Sequence, residues 1–184
     1  MKTFKLIFSM ITVLAVSQVS FAQEKTVMVG GAAMYPSKNI IENAANSKDH
    51  TTLVTAIKAA GLVETLSGPG PFTVFAPTNK AFDKLPKGTV ETLVKPENKA
   101  MLTGILTYHV VSGKMSAADL MKAIKAGGGK ATLTTVAGGT LTAMQKGKKI
   151  MLTDAKGGMS TVTIADVNQS NGVIHVIDTV LMPK

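Results

Sequence analysis

The stretch from Asn171 to Pro183 reads Asn-Gly-Val-Ile-His-Val-Ile-Asp-Thr-Val-Leu-Met-Pro, and its pattern decides the fold. Asn171-Gly172 is a tight-turn signal, because both residue types tolerate positive φ. In the strand expected from Gly172 to Met182, Val173, His175, Ile177 and Leu181 share one face. Ile174, Val176, Asp178 and Val180 share the other. A strand apolar on both faces is covered on both. The His and the Asp inside it then need hydrogen-bonding partners. An upstream counterpart is Phe-Thr-Val-Phe-Ala-Pro-Thr-Asn-Lys-Ala-Phe over 72–82. It predicts a strand to Ala76 that Pro77 ends, with Thr78 capping a short helix that runs through Phe82.

Outward from these two runs, the chain divides into a helical half and a β half. Lys38 to Ala45 predicts a short helix. Thr51 is placed to cap a helix bearing Leu53, Ile57 and Ala60 and ending at Gly61. Leu62 to Leu66 adds a further turn, broken by Gly68-Pro69-Gly70-Pro71. Thr89 is expected to cap another short helix. Pro96 then opens one whose buried stripe is Leu102, Ile105 and Leu106. Tyr108 to Val111 reads as extended. Ser116 with Asp119 forms a capping-box pattern for a helix that stops at Gly127-Gly128-Gly129. Beyond it the period becomes two: strands are expected over 132–136, 140–144, 149–153 and 160–165, joined by Gly- and Lys-rich turns. Helices first and a meander afterwards, with one early strand that must pair with the C-terminal half, give an α+β class.

Composition narrows the function. Lys2 and Lys5, the apolar run Leu6 to Val16 and Ser20-Phe21-Ala22 form a leader, so residues 1–22 are expected to be cleaved. Residues 23–37 read as an extended N-terminal arm and 38–184 as a single domain. With no Cys behind the leader and no apolar tail, the product is expected to be exported, periplasmic or secreted, without stable membrane insertion. The formal charge is +9 and every basic residue is Lys. Without Lys2 and Lys5 it is +7. Zero Cys removes disulfides, thiol catalysis and thiolate metal sites. An Arg-free, Trp-free, aromatic-poor exported chain argues against nucleic acid.

Three pieces in order, 72–82, Leu106-Thr107-Tyr108-His109-Val110-Val111, and Asn171 to Asp178, resemble the conserved segments of the fasciclin-like domain family, covering roughly 39–182. The resemblance implies a wedge-shaped β-sandwich with a layer of short α-helices, and an extracellular or cell-surface role in adhesion and matrix contact. In it, Thr78, Asn79, Phe82, Asn171, Gly172, His175 and Asp178 are the structural motif residues. In animal members a Tyr-His segment and an Asp-Ile pair are implicated in integrin binding. Tyr108 and His109 match the first, and Asp166-Val167 matches the second with Val for Ile; the apolar neighbours Leu106 and Val110 equally allow Tyr108 to be a core residue. The leader looks bacterial, where integrin is not an expected partner, so the resemblance carries over a surface and not a ligand.

Catalysis and metal binding find no pattern. His50 is expected to be exposed, and His109 and His175 to be satisfied core residues without His-x-His or His-Glu-x-x-His spacing. No Gly-x-Ser-x-Gly elbow occurs, and capping explains Thr78 and Asn79. A non-catalytic protein without cofactor or metal is expected. Lys146, Lys148 and Lys149 at a hairpin tip, with Lys156 on the next turn, are default solvated turn lysines. They are also the candidates for attracting acidic polysaccharide, lipopolysaccharide or an envelope or matrix protein. The alternative is carriage of an apolar small molecule, since some fasciclin-like proteins resemble carotenoid carriers and the chain has eleven Met. Met101, Met115, Met121, Met144, Met151 and Met159 would suit an adaptable groove.

Overall fold

The last strand is apolar on both faces because it lies between two cores. In a computed structural model, which describes residues 25–184, β3 (Phe72–Pro77) and β9 (Gly172–Ile177) run parallel side by side, from Phe72 opposite Gly172 to Pro77 opposite Ile177. Val74, Ala76, Ile174 and Val176 face a layer of helices, whereas Phe75 and Ile177 face the interior of the folded sheet. Burying Ile174 or Val176 stabilises by about 1.5–3 kcal/mol each. The proposed leader, 1–22, lies outside the described residues.

The helices of the first core are α1 (Ile40–Asn46), α2 (Thr51–Ala60), α3 (Val63–Ser67), α4 (Asn79–Asp83), α5 (Thr89–Leu93) and α6 (Lys99–Tyr108). Asn39 starts α1 with a capping box to Glu42. Gly61, at φ 73°, ends α2 in the left-handed conformation that glycine adopts without strain. Neither Thr51 nor Thr89 is a cap; each is the first helical residue, after His50 and Gly88 respectively. The α2 cap comes from a distant segment instead, as Asn79 Oδ1 accepts the Thr52 N–H at 3.0 Å. Thr78 does cap α4, its hydroxyl accepting the Ala81 N–H at 3.3 Å. Thr78→Ala should therefore lower stability by about 1 kcal/mol and Thr78→Ser should be nearly neutral. Unchanged melting in both variants would refute the cap.

The segment expected as an extended arm is a hairpin from residue 27 onward, β1 (Val27–Val29) and β2 (Ala32–Met34), turned by Gly30 and Gly31 at φ 58° and 77°. Val29 and Met34 are buried in the helical core, so the hairpin belongs to the domain.

The second core is enclosed by the sheet itself. After β4 (Val110–Ser112) and α7 (Ala117–Ala126), which the Ser116–Asp119 capping box starts, come β5 (Lys130–Thr134), β6 (Thr140–Lys146), β7 (Lys149–Thr153) and β8 (Met159–Gln169). Spatial order is β4-β3-β9-β8-β7-β6-β5. The two outer strands meet, through a bridge from Val111 to Thr135 and a Val136 N–H to Val110 carbonyl bond of 2.8 Å. The long β8 serves both halves, pairing with β7 at its start and with β9 through register shifts at Ile164. Folding the sheet over leaves no open edge at this seam.

Several boundaries differ from expectation. Thr135 and Val136 leave β5 to make the seam. β8 continues through its bulge to Gln169. β9 ends at Ile177: the Asp178 N–H still reaches the Thr161 carbonyl of β8 (3.2 Å), but beyond it the N–H groups find side chains, Thr179 donating to Ser160 Oγ (3.1 Å), Leu181 to His109 Nε2 (3.0 Å) and Met182 to Asp154 Oδ2 (2.9 Å).

Candidate functional site

The two runs pair through their backbones, and their polar side chains fasten the segments around them. Asn171 Nδ2 donates to the carbonyls of Leu66 (2.8 Å) and Gly68 (3.0 Å), and its Oδ1 accepts the Ile40 N–H at 3.1 Å. Asn171 is not at positive φ, and the hairpin turn is Ser170-Asn171. Gly172 is required for another reason: a Cβ there would lie 2.1 Å from the Phe72 carbonyl oxygen. Asn79 Nδ2 donates to the Lys48 carbonyl at 2.8 Å, so that Asn79 also holds the turn that leads into α2, and the Phe82 ring is core. Asp178 accepts the Thr161 N–H at 2.9 Å and the Thr179 hydroxyl at 3.1 Å. Partial burial raises its pKa, but the Thr161 N–H, the Thr179 hydroxyl, Lys84 and the Ser160 hydroxyl together hold it below the ordinary carboxylate range.

His109, which caps the C-terminus of α6 instead of lying in a strand, and His175 of β9 are each a neutral one-donor, one-acceptor clamp. His109 Nδ1 meets the Ile105 carbonyl at 2.8 Å while Nε2 accepts from Leu181 N. His175 Nε2 meets the Met115 carbonyl at 2.9 Å while Nδ1 accepts from Asp166 N at 3.3 Å, and its ring stacks on Phe75. These partners assign the tautomers. Burial lowers both pKa values, that of His109 to about 4. His50 is buried, contrary to expectation, because the 3₁₀ turn Lys48–His50 folds it inward onto Ser47 Oγ at 2.9 Å.

The Tyr-His and Asp-Val candidates are not a surface. Tyr108 ends α6 instead of starting an extended segment, and it is 0 % exposed. Its hydroxyl donates to the Thr140 carbonyl (2.6 Å) and accepts from Ala155 N (3.0 Å), and a Cβ on Gly139 would stand 2.7 Å from its ring. Val167 is buried. Asp166 sits in the β8 bulge at φ 58°, with Oδ1 accepting the Ala117 N–H at 2.7 Å. It thereby ties β8 to the first turn of α7. Tyr108 belongs to the core inside the sheet and Val167 to the core under the helices, and the side chains of all four residues are spent on internal packing and hydrogen bonds.

Lys146, Lys148 and Lys149, by contrast, are exposed on the β6–β7 hairpin, and Lys146 stands directly opposite Lys149. Beside this hairpin a groove of about 300 Å³ separates α7 from β7 and β8. The methionines do not gather around it. Met121 lines it, Met101 and Met159 are 61 % and 58 % exposed, and Met144 pairs with Met151 across β6 and β7.

A fasciclin domain model matches residues 48–183. The chain belongs to the fasciclin domain family. A solved fasciclin domain pair, from the insect cell adhesion molecule Fasciclin I, superposes with a TM-score of 0.72 at 18 % identity. That match takes in 87 % of this chain and 58 % of the pair. Protein sll1483 of Synechocystis is 49 % identical over 87 % of this chain and 82 % of its own length. The immunogenic protein MPB70 of Mycobacterium bovis is 37 % identical over 76 % and 66 %, and the cell surface glycolipoprotein MPB83 of the same species is 36 % identical over 84 % and 64 %. The chain thus spans just under two thirds of these two mycobacterial relatives.

Sequence reasoning missed one fastener of this fasciclin domain. Asp154 accepts N–H groups from Lys156 (2.9 Å) and Gly158 (2.7 Å) within its own turn, and from Met182 across the fold. The Asp-x-x-Gly-Gly spacing signals the turn; nothing local signals Met182. Among the described residues, no group of three or more His, Cys, Asp or Glu side chains converges as a metal site would.

Proposed function

We propose that this fasciclin domain is an exported, non-catalytic contact module of the cell envelope or matrix. Its contact surface is the β6–β7 hairpin, and its partner is an acidic polysaccharide or an acidic patch on an envelope protein. The observation that carries the reading is Lys146 facing Lys149, with Lys148 between them in the chain. Like charges directly opposite on an antiparallel pair are unfavourable, and an anionic partner relieves that repulsion. The relatives' names, a cell surface glycolipoprotein and a cell adhesion molecule, support a surface role. The non-catalytic reading is supported by Thr78, Asn79, His109, His175 and Asp178, whose polar atoms are engaged in holding the fold. Among the described residues no helix is long and apolar enough to cross a membrane.

Exposed lysines act mainly on approach and are screened by salt. Replacing Lys146, Lys148 and Lys149 by Gln should slow association with alginate by about tenfold in low salt and have little effect in high salt. Equal low-salt association of parent and variant would move the contact surface elsewhere.

A further inference from the structure

The helix α7 closes the sandwich on one side only. Leu120 and Ile124 are buried in the second core, and the helix packs chiefly on β5 and β6. Its other flank, carrying Ala117, Ala118 and Met121, stands off from β7 and β8 and leaves the groove of about 300 Å³. Ala117 and Ala118 keep that wall low, while Ile150 and Val162 from the strands add apolar surface. Lys148 and Lys149 also line the groove, and no acidic residue does. Lysine stems lie readily along apolar surface with the ammonium group free.

We infer that the groove binds a single-chain amphiphile with an anionic head, of which a medium-length fatty acid carboxylate is the simplest. The chain lies on Met121, Ile150 and Val162, and the carboxylate meets Lys148 and Lys149. A volume at the lower end of the range for small-molecule pockets suits one short acyl chain better than a carotenoid. The paired charge and apolar lining select the amphiphile over both a neutral hydrocarbon, which leaves the ammonium groups unused, and an acidic polymer, which leaves the apolar surface unused. The proposal shares two lysines with the hairpin surface but stands on the groove, which the hairpin reading does not invoke.

Calorimetric titration of the purified protein with dodecanoate, below its micelle concentration and with dodecanol as the neutral control, tests it. One dodecanoate per chain is expected. Lys148→Gln with Lys149→Gln should weaken dodecanoate by about tenfold and leave dodecanol unchanged. Ala118→Phe, placed to fill the groove from the exposed helix face, should weaken both ligands; if it melts below the parent, Ala118→Val replaces it with the same expectation. Absent saturable binding, several dodecanoates per chain, or a folded groove-filling variant with parental affinity would each overturn the proposal. Lys146→Gln should weaken alginate and not dodecanoate, and the groove-filling variant the reverse, so the two readings can fail separately.

Discussion

Tyr108→Ala should cost this domain about 3–5 kcal/mol, the range for truncating a large buried aromatic. Its ring is fully enclosed, and Gly139 is in van der Waals reach of it only because it has no Cβ. Tyr108→Phe keeps the ring but strands the Ala155 N–H and the Thr140 carbonyl, and should cost about 1–3 kcal/mol. Urea unfolding of both variants measures this. A Tyr108→Ala protein as stable as the parent would return Tyr108 to the surface, as a partner anchor. A large loss assigns the family's Tyr-His segment, in this chain, to holding α6 against the β6 and β7–β8 ends.

Acid should weaken the fold well before its carboxylates titrate. His109 has a folded pKa of about 4, below the ordinary value of 6.5, because burial penalises the charged ring. The unfolded chain therefore binds more protons than the folded one below pH 6.5. Stability is full above that value and falls as pH drops towards 4, by about 3 kcal/mol from this residue alone. His50 and His175, also lowered by burial, act in the same direction. Protonation sets an N–H of His109 against the Leu181 N–H and one of His175 against the Asp166 N–H. Asp119 and Asp178, held below the ordinary carboxylate range, contribute a separate loss only near and below pH 4. Denaturant unfolding between pH 7.5 and 4.5 should show the decline, with a shallower slope in His109→Gln. A flat profile, or a His109 ring titrating near pH 6.5 in the folded protein, would refute this account.

What the sequence made legible was local or periodic. Two-faced apolarity identified β9 as doubly covered, and the separation of the two boxes required β3 to pair with the C-terminal half. The bounds of β7 and the Ser116–Asp119 box needed only turn and capping chemistry. What escaped was tertiary. Asn79 caps α2 from another segment, Gly172 answers to the Phe72 carbonyl, and Asp166 serves α7 through a bulge. His50 was misplaced and Tyr108 stayed open between surface and core for the same reason, since a short stretch of sequence does not say whether a polar tip finds water or a distant backbone group. The lysine hairpin was legible because its exposure follows from its own turn.

The parallel pairing of β3 with β9 also sets when the domain can fold. Phe72 pairs with Gly172, so the centre of the sheet joins segments 100 residues apart, and no neighbouring strand can stand in for β9. Such long-range closure is slow, because the loop entropy must be met before the contacts form. During synthesis, β9 is the last strand of the domain to emerge. Until it does, β3 and β8 have no shared partner, and the chain remains threadable. That order of events suits a protein proposed to cross a membrane before it acquires its final shape.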